Sequence, residues 1–224
     1  TSLVYPQSSM GAHVSNIPNQ QTIRKTPLET RFNTAAFGLL GYELDLTRLT
    51  PYEKKVIQKQ IGFYKKHRKL FQFGKLFRFR NPFLEGDSSL MVVAPDGSEA
   101  MLSITQGLAR PNEGLETFAV CGLDPERNYH ISSRKQYFNL SQFGDLIHHA
   151  LPIRLRASGI LFHLLENRYL MPSETEDQNV PGAVLINNGF IPKQKFIGSG
   201  YNESVRLMGD FGSRLYYFHS EEAN

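Results

Sequence analysis

The 224-residue chain contains no tryptophan and a single cysteine, Cys121. One cysteine excludes a disulfide framework within the chain. It fits a reducing compartment, so a cytoplasmic location is the expectation. Long apolar runs are also missing: nothing approaches the roughly 18 residues that cross a bilayer as a helix, and no membrane partner is expected. There is no zinc-finger spacing, no RNP-type aromatic motif and no repeat of fixed period. The first residue is Thr1 rather than Met, so the lack of a leader ahead of it carries no weight.

What is present is ordinary for a globular protein: 40% hydrophobic and 21% charged residues, with 16 Phe and 10 Tyr supplying the aromatics. The length allows one large domain or two small ones. Net charge is +4, and much of it sits in one stretch holding Lys54, Lys55, Lys59, Lys65, Lys66, Arg68 and Lys69. Such a run is either a phosphate-binding surface or the solvated face of a helix. With no nucleic-acid motif beside it, the solvated face is expected and no nucleic-acid partner is assigned.

The first part of the chain reads as strand, helix, strand, helix. Ser9 to Ser15 is a strand candidate. Thr26-Pro27-Leu28-Glu29 has the form of a capping box opening a helix that stops at Gly38. Leu39 to Leu46 is the next strand candidate. Thr50-Pro51-Tyr52-Glu53 repeats the capping box and opens the strongest helix, whose buried stripe is Tyr52, Val56, Ile57, Gln60, Ile61 and Tyr64, with the lysines opposite. This is the order of βα units around a parallel sheet, though two units cannot close a (β/α)8 barrel.

Beyond Phe79 the pattern changes to short strands. Leu90–Ala94 and Ala100–Thr105 flank a Pro95-Asp96-Gly97 turn and predict a hairpin. Glu116–Val120, Tyr129–Ile131, Gln136–Asn139, Ile160–Leu165 and Leu215–Phe218 are further strand candidates, with one helical interruption at Phe143–Leu151. An antiparallel sandwich follows. The boundary falls at the turn expected over Arg78-Phe79-Arg80-Asn81-Pro82, giving domains 1–80 and 81–224.

Few residues suggest chemistry. Glu43 and Asp45, two apart on a strand, would face one way about 7 Å apart, near the separation of glycosidase carboxylates. The alternative is a strand end at which one of them caps the following turn. His13 and Ser15 share a strand face, where they could hold a sugar hydroxyl or serve structure alone. His148, His149 and His163 lack ligand spacing, so no metal is expected. Cys121 has no base near it in sequence and reads as a core residue. Asp124-Pro125-Glu126 is a turn. The glycine-rich Gly198–Tyr201 and Gly209–Arg214 stretches lack the lysine and spacing of a phosphate loop and read as tight turns.

Several blocks, in order, resemble glycoside hydrolase family 36, the α-galactosidases. They are Thr1-Ser2-Leu3-Val4-Tyr5-Pro6, Ser8–Ser15 with Pro18-Asn19, Thr26–Arg31, Phe37–Leu46, Ser141–Leu146, Leu151–Leu155, Gly200-Tyr201-Asn202 and Arg206–Tyr216. The chain departs from the family at Asn19-Gln20-Gln21, where Asn-His-Gln is commoner, and over Pro181–Phe190.

The resemblance implies the last βα units of a (β/α)8 barrel followed by an all-β C-terminal sandwich. It implies a retaining enzyme that hydrolyses melibiose, raffinose and stachyose without cofactor or metal. Its nucleophile and acid/base Asp would lie upstream of Thr1, leaving no catalytic residue here and His13 and Ser15 as substrate-binding candidates. Glu43 and Asp45 fall, by the same resemblance, in the last barrel strand and outside the catalytic positions. Its implied partners are α-galactosides, the upstream barrel segment, and further copies in a tetramer. The alternatives are a stand-alone carbohydrate-binding or structural β-domain, and a galactosyl transferase of the raffinose-synthase type.

Overall fold

The computed structural model describes residues 2–109, 116–140, 159–166, 168–173, 175–192 and 209–220. After a short 3₁₀ turn at Gln7–Ser9, β1 (Gly11–Ser15) leads through α1 (Leu28–Ala35) to β2 (Leu39–Glu43) and α2 (Pro51–Phe73). β1 and β2 pair in parallel, His13 opposite Gly41 and Ser15 opposite Glu43. Parallel neighbours need a crossover, and α1 supplies it.

Both helices were expected, but only one opens as expected. Thr50 and Glu53 form the full capping box of α2: the Thr50 hydroxyl accepts from the Glu53 amide and the Glu53 carboxylate accepts from the Thr50 amide. α1 has no side-chain cap, and its N-cap is Pro27 rather than Thr26. Glu29 is drawn away by stronger partners from the sheet, described below. In α2 the buried positions are Tyr52, Val56, Ile57, Gln60, Tyr64, His67, Leu70 and Phe71. The basic residues lie on the exposed face, as a solvated helix face should.

The rest is antiparallel. β3 (Lys75–Arg80), β4 (Ser88–Val93), β5 (Glu99–Thr105), β6 (Asn128–Ser133), β9 (Asp177–Pro181) and β10 (Ser213–Ser220) form a six-stranded sheet in the order β3-β4-β5-β10-β6-β9. β7 (Tyr137–Phe138) and β8 (Met171–Pro172) make a separate ribbon. α3 (Pro82–Glu85) joins β3 to β4, α4 (Ile160–Glu166) precedes the ribbon's second strand, and α5 (Gly182–Asn188) follows β9. The chain is thus mixed, with an antiparallel C-terminal part.

Three expectations need correction. Ile160–Leu165 is helix, not strand: an apolar run without Gly or Pro cannot be assigned by periodicity alone. Phe162 and Leu165, one turn apart, pack with Leu140 and Met171. Glu116–Val120 forms no strand, only a bridge in which Phe118 and Phe190 exchange both backbone hydrogen bonds at 2.8 Å. The turn expected over Arg78–Pro82 begins only after Arg80, because β3 runs that far, with a register shift between Arg78 and Arg80. The Gly209–Gly212 turn forms, its ends joined by a 2.8 Å hydrogen bond. The helix expected over Phe143–Leu151 and the turn at Gly198–Tyr201 lie outside the described residues.

The sheet is buried on both faces, and alternation sorts its side chains. Phe77, Met91, Val93, Ala100, Leu102, Ile104, Tyr216 and Phe218 point to one core, closed by Phe118, Val120, Leu185 and Phe190. Leu76, Leu90, Val92, Met101, Leu215 and Tyr217 point to the other, where they meet Phe32, Phe37, Tyr64 and Phe71 of the helical part. Gly182 marks the tightest joint: a Cβ there would lie 2.0 Å from the Asp124 carbonyl oxygen. Any side chain would push α5 off the core that Leu185 fills.

Candidate functional site

β1 and β2 carry their residues to two faces. Ala12, Val14, Leu40 and Tyr42 pack toward α1 and α2, and Val14 is fully buried. The other face holds Gly11, His13 and Ser15 beside Leu39, Gly41 and Glu43, and it is open. Leu3, Val4 and Leu46, from the same part of the chain, are apolar and 84%, 79% and 60% exposed.

His13 and Glu43 meet on this face, Nδ1 to Oε1 at 3.8 Å, with about half or more of each side chain in solvent. Gly41 makes the arrangement possible. A Cβ at that position would lie 2.3 Å from the His13 ring, so the imidazole occupies the space above the glycine. No feature of the sequence reading signalled this pairing; the signal available was a glycine at the middle of a strand candidate, which often marks close approach of another group.

Ser15 ends β1. Its carbonyl oxygen accepts from Arg31 Nη1, while Arg31 Nε donates to the Thr26 carbonyl at 3.1 Å. Burial pushes the Arg31 pKa down and the nearby Glu53 charge opposes that. Asn19 Nδ2 lies 3.5 Å from Ser15 Oγ. The Asn19 Oδ1 is already committed, accepting from the Gln21 amide, the Thr22 amide and the Thr22 hydroxyl. The loop after β1 is therefore built on Asn19, and the two candidates His13 and Ser15 do lie on one strand face.

Glu43 and Asp45 face different partners. β2 ends at Glu43, and Asp45 turns onto its own loop, accepting from the Thr47 amide at 3.0 Å and hydroxyl at 2.6 Å. Those hydrogen bonds hold its carboxyl below the usual range. Asp45 is thus the turn-capping carboxylate of the alternative reading.

Behind this face lies a buried polar joint to the sheet. Glu29 Oε2 accepts from Arg134 Nη2 at 2.5 Å and from Gln60 Nε2 at 2.8 Å, and its Oε1 accepts from the Tyr137 amide at 3.0 Å. Arg134 Nε donates to Asn33, and Asn33 donates to the Ser213 hydroxyl at 2.6 Å. Gln60 in turn accepts from the Tyr42 hydroxyl at 3.0 Å. A chain of hydrogen bonds thus runs from the sheet, through both helices, to the strand carrying Glu43.

The remaining candidates fall away from the site. Cys121 is exposed, not core, because the inward positions of its segment are taken by Val120 and Leu123. Asp124 caps its turn at the Glu126 amide and pairs with Arg127 at 3.0 Å. His148, His149 and the His163 side chain lie outside the described residues. Among the described residues, no group of three or more His, Cys, Asp or Glu could hold a metal, and no helix is long and apolar enough to cross a membrane.

Comparison with known proteins gives this geometry its context. Residues 87–218 match the glycosyl hydrolase family 36 C-terminal domain, and residues 1–74 match Melibiase. The chain is similar to α-galactosidase AgaA of Geobacillus stearothermophilus, 44% identical over 137 residues that make up 61% of this chain and 19% of that protein. It is 41% identical to α-galactosidase 1 of Pediococcus pentosaceus, over 62% of this chain and 19% of that one. The α-galactosidase of Lactobacillus brevis superposes on 98% of the chain with a TM-score of 0.69 at 30% identity, using 23% of its own length. A variant of the Geobacillus stearothermophilus AgaA solved in complex with raffinose matches equally, with TM-score 0.69, 30% identity and the same coverage of 98% and 23%. The chain spans about a fifth of the curated relatives it matches. With the family 36 C-terminal domain matched over more than half of its residues, and the parallel strand pair and its two helices inside the Melibiase match, the chain belongs to glycosyl hydrolase family 36.

Proposed function

We propose that the chain is the C-terminal part of a retaining α-galactosidase acting on melibiose, raffinose and stachyose, and that the chain by itself is inactive. The observation that carries this reading is coverage: nearly all of the chain superposes on family 36 α-galactosidases while filling only 23% of their length. In the whole enzyme one Asp attacks the anomeric carbon as the second protonates the leaving oxygen, and the second then activates water. Both belong to the part of the protein ahead of Thr1. The turn-bound state of Asp45 supports leaving it out of that chemistry.

In this reading β1-α1-β2-α2 are the last two units of a (β/α)8 barrel, and the open face of β1 and β2 looks into its interior. The rest of the barrel covers that face. The six-stranded sheet and the ribbon belong to a C-terminal sandwich. The division between the two parts is best drawn at Gly74 by sheet membership, six residues before the one expected at 80, since β3 pairs with β4. His13 and Ser15, near the C-terminal end of a barrel strand where such sites gather, contact sugar hydroxyls. The enzyme is a cytoplasmic tetramer.

The test is hydrolysis of p-nitrophenyl α-galactoside by the 224-residue chain, its intact mass verified, beside the full-length protein. Turnover by the full-length protein alone is expected. Turnover that follows the pure 224-residue chain would overturn the reading.

A further inference from the structure

A cleft of about 370 Å³ opens between the middle of α2 and the segment that leaves β6. Two of its walls are cationic. Lys59 and Lys66, two helical turns apart and so separated by about 10.5 Å along the axis, line the α2 side, and Lys135 faces them from the other. Lys59 and Lys66 belong to the basic run, whose Lys54, Lys55, Lys65, Arg68 and Lys69 do not line the cleft.

Among the described residues no carboxylate lines the cleft, and those nearby are committed elsewhere. Glu29 holds Arg134 at the back, Glu99 accepts from the Tyr217 hydroxyl at 2.8 Å, and Asp177 holds His130 at 2.8 Å. Among the described residues, none of the three lysines is in an ion pair; Lys59 lies 5.4 Å from the centre of the Tyr137 ring. Three lysines therefore line a concave, partly apolar space in which no described carboxylate supplies a counter-charge. Low-dielectric walls concentrate such a field.

The floor is suited to more than an ion. Phe63 and Tyr217 supply flat apolar surface and Ser132 supplies a hydroxyl, while the Ser133 oxygen already accepts from the Glu176 amide at 2.8 Å. The volume fits a small molecule and is too small for a polymer to thread. We propose that this cleft binds a phosphate monoester carried on a sugar, the lysines taking the dianion through charge-assisted hydrogen bonds and the aromatic floor taking the C–H face of the ring. The site is separate from the open face of β1 and β2, sharing none of its residues, and it holds whether or not that face binds galactose.

The test is isothermal titration of the full protein chain with glucose 6-phosphate, inorganic phosphate and glucose, repeated with the Lys66→Gln, Lys135→Gln double variant. Both lysines are exposed, and an unchanged thermal midpoint verifies that the variant folds. Glucose 6-phosphate is expected to bind, to weaken with added salt, and to lose at least about tenfold in affinity in the variant, while glucose alone gives no heat. Inorganic phosphate binding as tightly as the ester, and lost in the variant, would overturn the sugar assignment. Failure of either phosphate to bind, or binding unaffected by the variant, would overturn the anion site itself.

Discussion

Glu29 and Arg134 carry the joint between the helical part and the sheet. Their side chains are 14% and 3% exposed, and the Arg134 guanidinium also lies over the Phe32 ring at 4.8 Å. A charge buried this way is costly once its partner is removed. Arg134→Ala is expected to lower unfolding free energy by about 3–5 kcal/mol in urea titration, and Glu29→Gln with Arg134→Met together should cost less than the sum of the two single changes. His67 sits at the same interface, its ring 4.5 Å from that of Tyr217. Burial first, and the Lys66 charge second, push its pKa from 6.5 down to about 4. Between these values the unfolded chain takes up a proton that the folded one refuses, so stability rises with pH across that window. It is undiminished above pH 6.5 and falls as pH drops toward 4, by about 2 kcal/mol once partial solvent access at the ring edge is allowed for. His67→Phe should flatten that limb when urea midpoints are compared at pH 7 and pH 4.5.

At the scale of elements, the two helix starts separate what is local from what is not. Thr50 and Glu53 need only each other, so the sequence pattern was enough. Thr50→Ala should cost about 1 kcal/mol and Thr26→Ala far less, since the Thr26 side chain caps nothing; paired thermal melts check both. Glu29 has the same spacing from Thr26, but Arg134 lies more than a hundred residues away, and no local pattern could anticipate that competition. β3 is a different case: the alternation of Phe77-Arg78-Phe79-Arg80 was present to be read, but its arginines and a nearby Asn-Pro made it look like a turn. The Leu90–Thr105 hairpin was legible because Pro95-Asp96-Gly97 specifies its turn and both strands are rich in apolar residues. Ile160–Glu166 was not, because its one-sided burial depends on Leu140 and Met171.

For the molecule as a whole, the sheet works as a shared wall: one side closes the antiparallel part, the other seats α1 and α2. The parallel pair it supports through those helices ends in an open face with His13, Ser15 and Glu43. Order of elements and the family resemblance made this architecture readable; the seating of His13 over Gly41 came only from the register of β1 against β2. In the proposed function, the chemistry of this family 36 protein comes from outside these residues. Trapping the full-length protein with a 2-deoxy-2-fluoro-galactosyl fluoride and mapping the labelled peptide tests it most directly, because a retaining enzyme holds the fluorosugar on its nucleophile. The label is expected on an Asp ahead of Thr1. A galactosyl adduct on Glu43 or Asp45 would contradict the account.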